Sequence, residues 1–295
     1  MGLQLPKRAR RFGLFTVLAV SALALSGCNA DEYNVSRIAM PVPATDRAPH
    51  TYHLWQGAWL AAILVGILVW GLIGYAAIKF RRRSDDEVPV QVRYNLPIEI
   101  LYTVAPIVMV IVFFFFTVQT QNAVLASVKN PQHTIDVVGQ QWSWTFNYVK
   151  DDSLDGKTSV FDAGTPAYQP TLVLPVNQTV RVNLTSPDVI HSFWVPSFLM
   201  KMDVIPGREN HFSFTPTRVG DYKGRCAELC GTYHSRMLFN VKIVSPADYA
   251  TYLQKLEAKG NTGLALGGSN ADTKVGLEEN VQGIQQRTTQ NGAGQ

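Results

Sequence analysis

The twelve residues Cys226-Ala-Glu-Leu-Cys-Gly-Thr-Tyr-His-Ser-Arg-Met237 place two thiols, an imidazole and a thioether at Cys226, Cys230, His234 and Met237. Thiolate and imidazole together select copper or zinc over hard cations, and a thioether beside thiolates points to copper. A mononuclear blue-copper centre uses one thiolate, two imidazoles and a weak axial Met. Two thiolates are enough to bridge a pair of copper ions, and such a pair needs a second imidazole from elsewhere. His191, in Asp188-Val-Ile-His-Ser-Phe-Trp-Val-Pro196, is the candidate. Two plainer readings compete. Cys226 and Cys230 are the only thiols besides Cys28 and could close a disulfide in an exoplasmic domain. A zinc site would leave Met237 without a purpose. The spacing of His234 and Met237, with His191 upstream, favours copper over both.

Such ligands need a rigid frame, and the sequence around them is β-like. Thr134–Val138, Thr171–Leu174, Thr179–Leu184, His211–Phe214 and Leu238–Val244 read as short strands separated by turn residues, which implies a Greek-key sandwich or barrel. Trp142, Trp144, Phe146 and Tyr148 alternate on one strand face, and the last three read as a buried aromatic surface. Residues 149–170, rich in Asp, Gly and Pro, read as a loop insertion. Pro246 to Ala258 reads as a short closing helix. His133 and His211 have no ligand-like company and are expected to be structural or exposed.

Upstream the composition changes. Trp55 to Ile78 is long enough to cross a bilayer without a charge, with Tyr52, Trp55 and Trp59 at one interface and His50 and His53 just before it. Lys79, Arg81, Arg82 and Arg83 follow, so the positive-inside rule makes this loop cytoplasmic. A second span from Pro97 to Gln119, capped by Asn95, returns the chain outward. Glu99 stands in its first turn. There it serves the helix dipole or a function, and the residues alone leave both open.

Residues 1–28 combine a basic start, an apolar run from Phe12 to Leu25 and Leu25-Ser-Gly-Cys28, the pattern of a lipoprotein signal with Cys28 at the mature N-terminus. The expected division is a signal peptide over 1–27, a linker over 28–52, a two-helix transmembrane hairpin over 53–120, the metal domain over 121–258 and a disordered tail over 259–295. The formal charge of +4 is carried by Lys7, Arg8, Arg10 and Arg11 in the leader, and residues from Gln121 onward carry 15 acidic and 15 basic side chains. That balance and the absence of a basic, aromatic-interleaved patch argue against nucleic acid. No C-x-x-C-H occurs, so the chain carries no covalent haem of its own.

C-A-E-L-C-G-T-Y-H-S-R-M with the upstream D-V-I-H-S-F-W resembles the dinuclear copper (Cu-A) domain of cytochrome c oxidase subunit II, and the resemblance runs from Trp55 to Val244. It implies a two-helix membrane hairpin followed by a cupredoxin-like Greek-key β-barrel, with His191 and the Cys loop together at one end. It implies that Cys226 and Cys230 bridge two copper ions, that His191 and His234 bind one each, and that Met237 and the Glu228 backbone carbonyl complete the set. The Glu228 side chain would contribute to a magnesium site shared with subunit I. Q-Q-W-S-W matches the family's electron-accepting Trp at Trp142. Y-N-L-P-I-E-I-L-Y-T-V-A-P matches the helix start whose Glu, here Glu99, lines the mouth of a proton-uptake path. Lys201-Met-Asp-Val-Ile-Pro-Gly-Arg208 matches a stretch whose Lys201, Asp203 and Arg208 would face subunit I.

The resemblance further implies subunits I and III and a cytochrome c as partners, a bacterial plasma membrane, and oxygen reduction in subunit I coupled to proton translocation. The lipobox looks like actinobacterial forms, whose cytochrome c is membrane-bound. Three other classes compete: a quinol oxidase subunit II, which lacks these copper ligands, a copper-delivery lipoprotein, which needs neither Glu99 nor Lys201–Arg208, and a thiol–disulfide oxidoreductase, which favours C-x-x-C in an α/β pattern.

Overall fold

The computed structural model describes residues 37–84, 87–89 and 91–266. The signal segment, Cys28 and the tail beyond residue 266 lie outside them. The chain divides into two compact units, Met1–Val42 and Pro43–Gln295, and the second holds every element below.

Helix α1 runs over Ala48–Lys79 and α2 over Leu96–Val124, both long and apolar enough to cross a membrane. Their Leu, Ile, Val and Phe side chains stand exposed over the central turns. Water penalises such a surface, whereas a bilayer accepts it. Pro49 suits the first turn of α1, and Lys79 in its last turn meets the negative end of the helix dipole. At the start of α2 the Asn95 side chain accepts from the Ile98 N–H at 3.5 Å, while Glu99 accepts from the Asn95 N–H at 2.8 Å. This reciprocal pair works as a capping box does, with the acid one residue further along. Both helices outrun the spans read from hydropathy, so His50 and His53 lie within the first turns of α1. Apolarity marks only the stretch suited to lipid, and helical hydrogen bonding continues into polar flanks.

The end of the presumed linker is built into the fold. Ala44 N donates to Ser197 O at 3.0 Å, Thr217 N to Ala44 O at 2.9 Å, and Asp46 pairs with Thr215 through backbone and carboxylate. Arg47 then donates to the carbonyls of Ala123 and Ala126 at the end of α2, where the dipole favours a cation.

The rest is a sandwich, the flattened form of the expected barrel. One sheet has the order β3-β2-β1-β5-β8, from β1 (His133–Gln140), β2 (Ser143–Tyr148), β3 (Val160–Ala163), β5 (Val180–Thr185) and β8 (Asn210–Phe214). The other has the order β4-β10-β9-β6-β7, from β4 (Thr171–Pro175), β6 (His191–Val195), β7 (Met200–Val204), β9 (Gly220–Cys226) and β10 (Leu238–Val244). β1 with β5 and β4 with β10 are parallel, and the other pairs antiparallel, a cupredoxin-like arrangement. Trp144, Phe146 and Tyr148 are fully buried, as expected. The Trp144 ring meets Phe239 edge-on at 5.4 Å, and Phe239 stacks on Phe193 at 5.0 Å.

Two sequence readings need correction. The stretch 149–170 is not wholly loop, because Val160–Ala163 pairs with β2 as β3. The opening of the expected disordered tail is also docked. Asn261 exchanges hydrogen bonds with Phe161, and Ala265 with the Asn147 side chain. Polar composition hid both, since backbone groups and a buried Asn supply the contacts there. Helix α3, Pro246–Ala258, matches its expected bounds. Ser245 caps it, and Tyr249, Leu253 and Leu256 form its buried stripe.

Tyr249 donates from its hydroxyl to Asp151 at 2.7 Å, and the same carboxylate oxygen lies 2.7 Å from His133 Nδ1. His133 is buried and structural, with Nε2 3.0 Å from the Gln178 side-chain oxygen, whereas His211 is exposed. Burial disfavours charge on both members of the His133–Asp151 pair. Their mutual hydrogen bond and attraction outweigh it, raising the His133 pKa and lowering that of Asp151.

Candidate metal centre

The ligand loop is a closed excursion between two paired strands. β9 ends on Cys226 and β10 begins at Leu238. The Cys226 N–H donates to the Met237 carbonyl at 3.0 Å, so the ends of the loop are fastened together. On the other flank of β9, Phe193 of β6 pairs with Cys226, and the Ala227 N–H donates to Ser192 O at 3.0 Å. This register brings His191, the first residue of β6, beside the loop. Residues 35 positions apart in sequence thus meet through sheet order alone.

The five side chains converge. Cys226 Sγ lies 3.9 Å from His191 Nδ1 and 3.9 Å from Cys230 Sγ. Cys230 Sγ lies 3.6 Å from His234 Nδ1 and 3.8 Å from Met237 Sδ. The Glu228 carbonyl oxygen is 3.3 Å from Cys226 Sγ. His191, Cys226, Cys230 and Met237 are buried, and His234 is half-buried. Both thiols are free. Their separation is nearly twice the roughly 2.05 Å of a disulfide bond. Two sulfurs at that distance can share ions at metal–sulfur lengths of roughly 2.3 Å. The donors are soft sulfur and imidazole, and the His/Cys/Cys cluster is a copper site by its chemistry.

The electrostatics fit a thiolate cluster. Without metal, Cys226 is held far below the usual thiol range, first by the hydrogen bond from Cys230 and then, against burial, by His191 and backbone groups. Cys230 is pushed up because it donates to Cys226, because it is buried, and because a second negative charge would stand beside the first. A cation binding both sulfurs removes that conflict, and its uptake releases protons. His191 is raised: burial opposes its charge, but the bonds to Asp188 and Cys226 outweigh burial. Asp188 is lowered by bonds from His191 and the N–H groups of Gln141 and Val189, again against burial.

The remaining sequence candidates fall at different places. Trp142 is not on the strand of aromatic residues. It occupies the turn between β1 and β2, half-buried, its ring edge-on to Tyr233 at 5.4 Å. Its indole N–H donates to Cys230 O at 3.2 Å, and Gln141 Nε2 donates to the same oxygen at 2.7 Å. The Glu228 side chain is exposed beside the loop. Lys201 is exposed on β7, Asp203 is half-buried there, and Arg208 is exposed in the turn to β8. Glu99 is at the far end of α2, in the capping box. Cys28 lies outside the described residues. Sequence reasoning assigned nothing to Asp188 or Gln141. The signal for Asp188 was a carboxylate three residues before a candidate ligand, whereas Gln141 gave none.

Comparison with known proteins supplies the family. The family model for the periplasmic domain of cytochrome c oxidase subunit II matches residues 133–244, and that for its transmembrane domain matches residues 34–119. The chain is 46% identical to a probable cytochrome c oxidase subunit 2 of Streptomyces coelicolor, over 89% of this chain and 92% of the relative. It is 45% identical to that of Streptomyces avermitilis over the same shares. A crystal structure of the periplasmic domain of subunit II of cytochrome oxidase from Bradyrhizobium japonicum aligns at 34% identity, with a TM-score of 0.39, over 45% of this chain and 99% of that one. The chain belongs to the cytochrome c oxidase subunit II family, a membrane-anchored component of a haem–copper oxidase with a copper site in its β-sandwich.

Proposed function

We propose that this chain accepts electrons from a cytochrome c near Trp142 and delivers them to the haem of subunit I. There oxygen is reduced to water, coupled to proton translocation. The observation that carries the proposal is the convergence of Cys226 and Cys230, 3.9 Å apart, with His191, His234 and Met237 around them. Two copper ions held there would supply a one-electron site whose charge is shared over both metals, with little rearrangement on reduction. In this reading Cys226 and Cys230 would hold both ions through their sulfurs, His191 and His234 would hold one each, and Met237 and the Glu228 carbonyl would complete the set. The chain's own part is to present these donors in one fixed geometry. The β9–β10 register, the Cys226–Met237 backbone bond and the buried floor of Trp144, Phe193 and Phe239 serve that end.

The exposed Glu228 carboxylate is free to join a magnesium site shared with subunit I. Lys201, Asp203 and Arg208 are assigned to the contact with subunit I, and subunit III completes the core. Glu99 is assigned to the mouth of a proton path. Its place in the first turn of α2, beside the basic loop, supports the inner face of the membrane. The sandwich then stands on the outer side of a bacterial plasma membrane, with Cys28 as a lipid anchor. The balanced charge of residues 121–295 suits a tethered donor that needs little long-range steering.

The test is copper content and electron paramagnetic resonance of the full-length chain in detergent, beside Cys226→Ser. Two coppers per chain with one unpaired electron shared by both nuclei is the expected result, and Cys226→Ser loses the shared signal. A single localised copper signal, or a disulfide that refuses metal, would overturn the assignment.

A further inference from the structure

Among the described residues, Asp188 is the carboxylate hydrogen-bonded to a candidate ligand, His191. It collects three N–H donors. Oδ1 takes His191 Nε2–H at 2.9 Å and the Val189 N–H at 2.6 Å, and Oδ2 takes the Gln141 N–H at 2.7 Å. Its own N–H donates to Ser186 Oγ at 3.3 Å, and Ser186 in turn donates to the Val189 carbonyl at 2.6 Å. The carboxylate is therefore held from both sides and cannot swing away without breaking several bonds.

We propose that Asp188 is a positioning residue for the copper centre, fixing the His191 proton on Nε2 and pinning the Trp142 turn to the same ligand. This rests on the copper reading above. An ionised carboxylate only accepts, so the ring nitrogen facing it must carry the proton. When the ring is neutral the other nitrogen, Nδ1, is therefore the free lone pair, and it is the one 3.9 Å from Cys226 Sγ. The His191 side chain is fully buried, so no solvent competes to reverse that tautomer. A carboxylate on the far nitrogen makes the imidazole a stronger donor and favours the more oxidised metal. No carboxylate pairs with His234 among the described residues, and that ring is half-buried. The two imidazoles are thus unequal, and Asp188 is the cause. Through the Gln141 N–H the same carboxylate also holds the peptide next to Trp142, so electron-accepting turn and ligand move together.

The experiment compares the full-length chain in detergent with Asp188→Asn and Asp188→Ala. Imidazole ¹⁵N shifts read the His191 tautomer in the metal-free protein. Titration with copper salt reads affinity, and redox titration reads the potential of the loaded chain. In the wild type the neutral His191 ring carries its proton on Nε2 alone. In Asp188→Ala both tautomers are populated and copper affinity falls by about 10–100-fold. The potential rises in both variants, because a negative charge near the metal is lost. Asp188→Asn keeps the size of the side chain and carries the test alone if the alanine variant does not fold.

An unchanged tautomer together with an unchanged potential in variants that bind copper would overturn the proposal, since a merely structural residue would move neither. Failure of the wild type to bind two coppers would instead sink the copper reading. The tautomer measurement on the metal-free chain would still decide whether Asp188 orients His191.

Discussion

The Trp142 indole N–H donates a 3.2 Å hydrogen bond to the carbonyl oxygen of Cys230, a residue whose own sulfur stands in the ligand cluster. Gln141 donates to the same oxygen at 2.7 Å, so the turn between β1 and β2 is fastened to the metal loop at one atom. Gly231 makes the approach possible. Its φ is +121°, and an added Cβ would stand 3.0 Å from the Trp142 ring. The half-buried indole therefore has one edge toward solvent and one on the residue that would bridge the metals.

Replacing Trp142 by Phe keeps an aromatic ring in the turn and removes the N–H. Copper content and the resonance of the centre should stay unchanged, since the bond lost is to the Cys230 carbonyl, which Gln141 still holds, and no side-chain donor atom is touched. Electron uptake from cytochrome c should slow by on the order of tenfold, equivalent to about 1.4 kcal/mol in barrier. Stopped-flow reduction of the assembled oxidase checks this. Slow uptake accompanied by copper loss would show instead that the turn is part of the scaffold.

The cluster of soft donors was legible because four of them sit within twelve consecutive residues, and the fifth lies in a stretch carrying only one His. The membrane hairpin was legible in its apolar core and not in its ends, because helices continue where hydropathy stops. Strands β6, β7 and β9 were not read out. Gly220-Asp-Tyr-Lys-Gly-Arg-Cys226 has two glycines and three charges, and its strand state comes from pairing on both flanks rather than from propensity. Trp142 was read into strand alternation, but it closes the turn and the strand begins one residue later. Asp188 escaped because its role exists only once β6 lies beside the turn at Gln141.

Gly224 lies under the Phe239 ring, and a Cβ there would overlap it. The ring is itself wedged between Phe193 and Trp144, so it has no free direction to move. Gly224→Ala should destabilise the sandwich by about 1–3 kcal/mol, the usual cost of overpacking a core. Because Gly224 is two residues before Cys226, copper retention should fall as well. Denaturant unfolding together with metal analysis tests both.

The buried His133–Asp151 pair makes stability depend on pH in two directions. His133 is raised above its ordinary 6.5, so its contribution is complete below 6.5 and is lost as pH climbs through the raised value. Asp151 is lowered below its ordinary 3.8, so its contribution is complete above 3.8 and is lost as pH falls through the depressed value. Between these limits the pair stabilises most. His133→Gln should flatten the alkaline fall and cost about 1–3 kcal/mol at pH 6, since Asp151 then loses its charged partner. Urea unfolding of both forms from pH 4 to pH 9 measures this, and parallel curves would show that the pair does not titrate with folding.

Met237 presents its sulfur 3.8 Å from Cys230 Sγ at the buried end of the loop, with no part of the side chain exposed. Its backbone carbonyl meanwhile accepts from both the Cys226 N–H at 3.0 Å and the Trp144 indole at 3.3 Å. The scaffold role is thus carried by the main chain and the proposed ligand role by the side chain, and a substitution can separate them. Met237→Leu conserves volume and should cost less than about 1.5 kcal/mol in stability. A thioether is a weak ligand that tunes potential more than it holds metal. Both coppers should therefore remain, while the potential rises as an electron-donating sulfur is withdrawn. The sharing of the unpaired electron should become less even. Redox titration and paramagnetic resonance of the loaded full-length variant check these outcomes. Loss of one copper with the fold intact would mean that Met237 anchors the metal rather than tunes it.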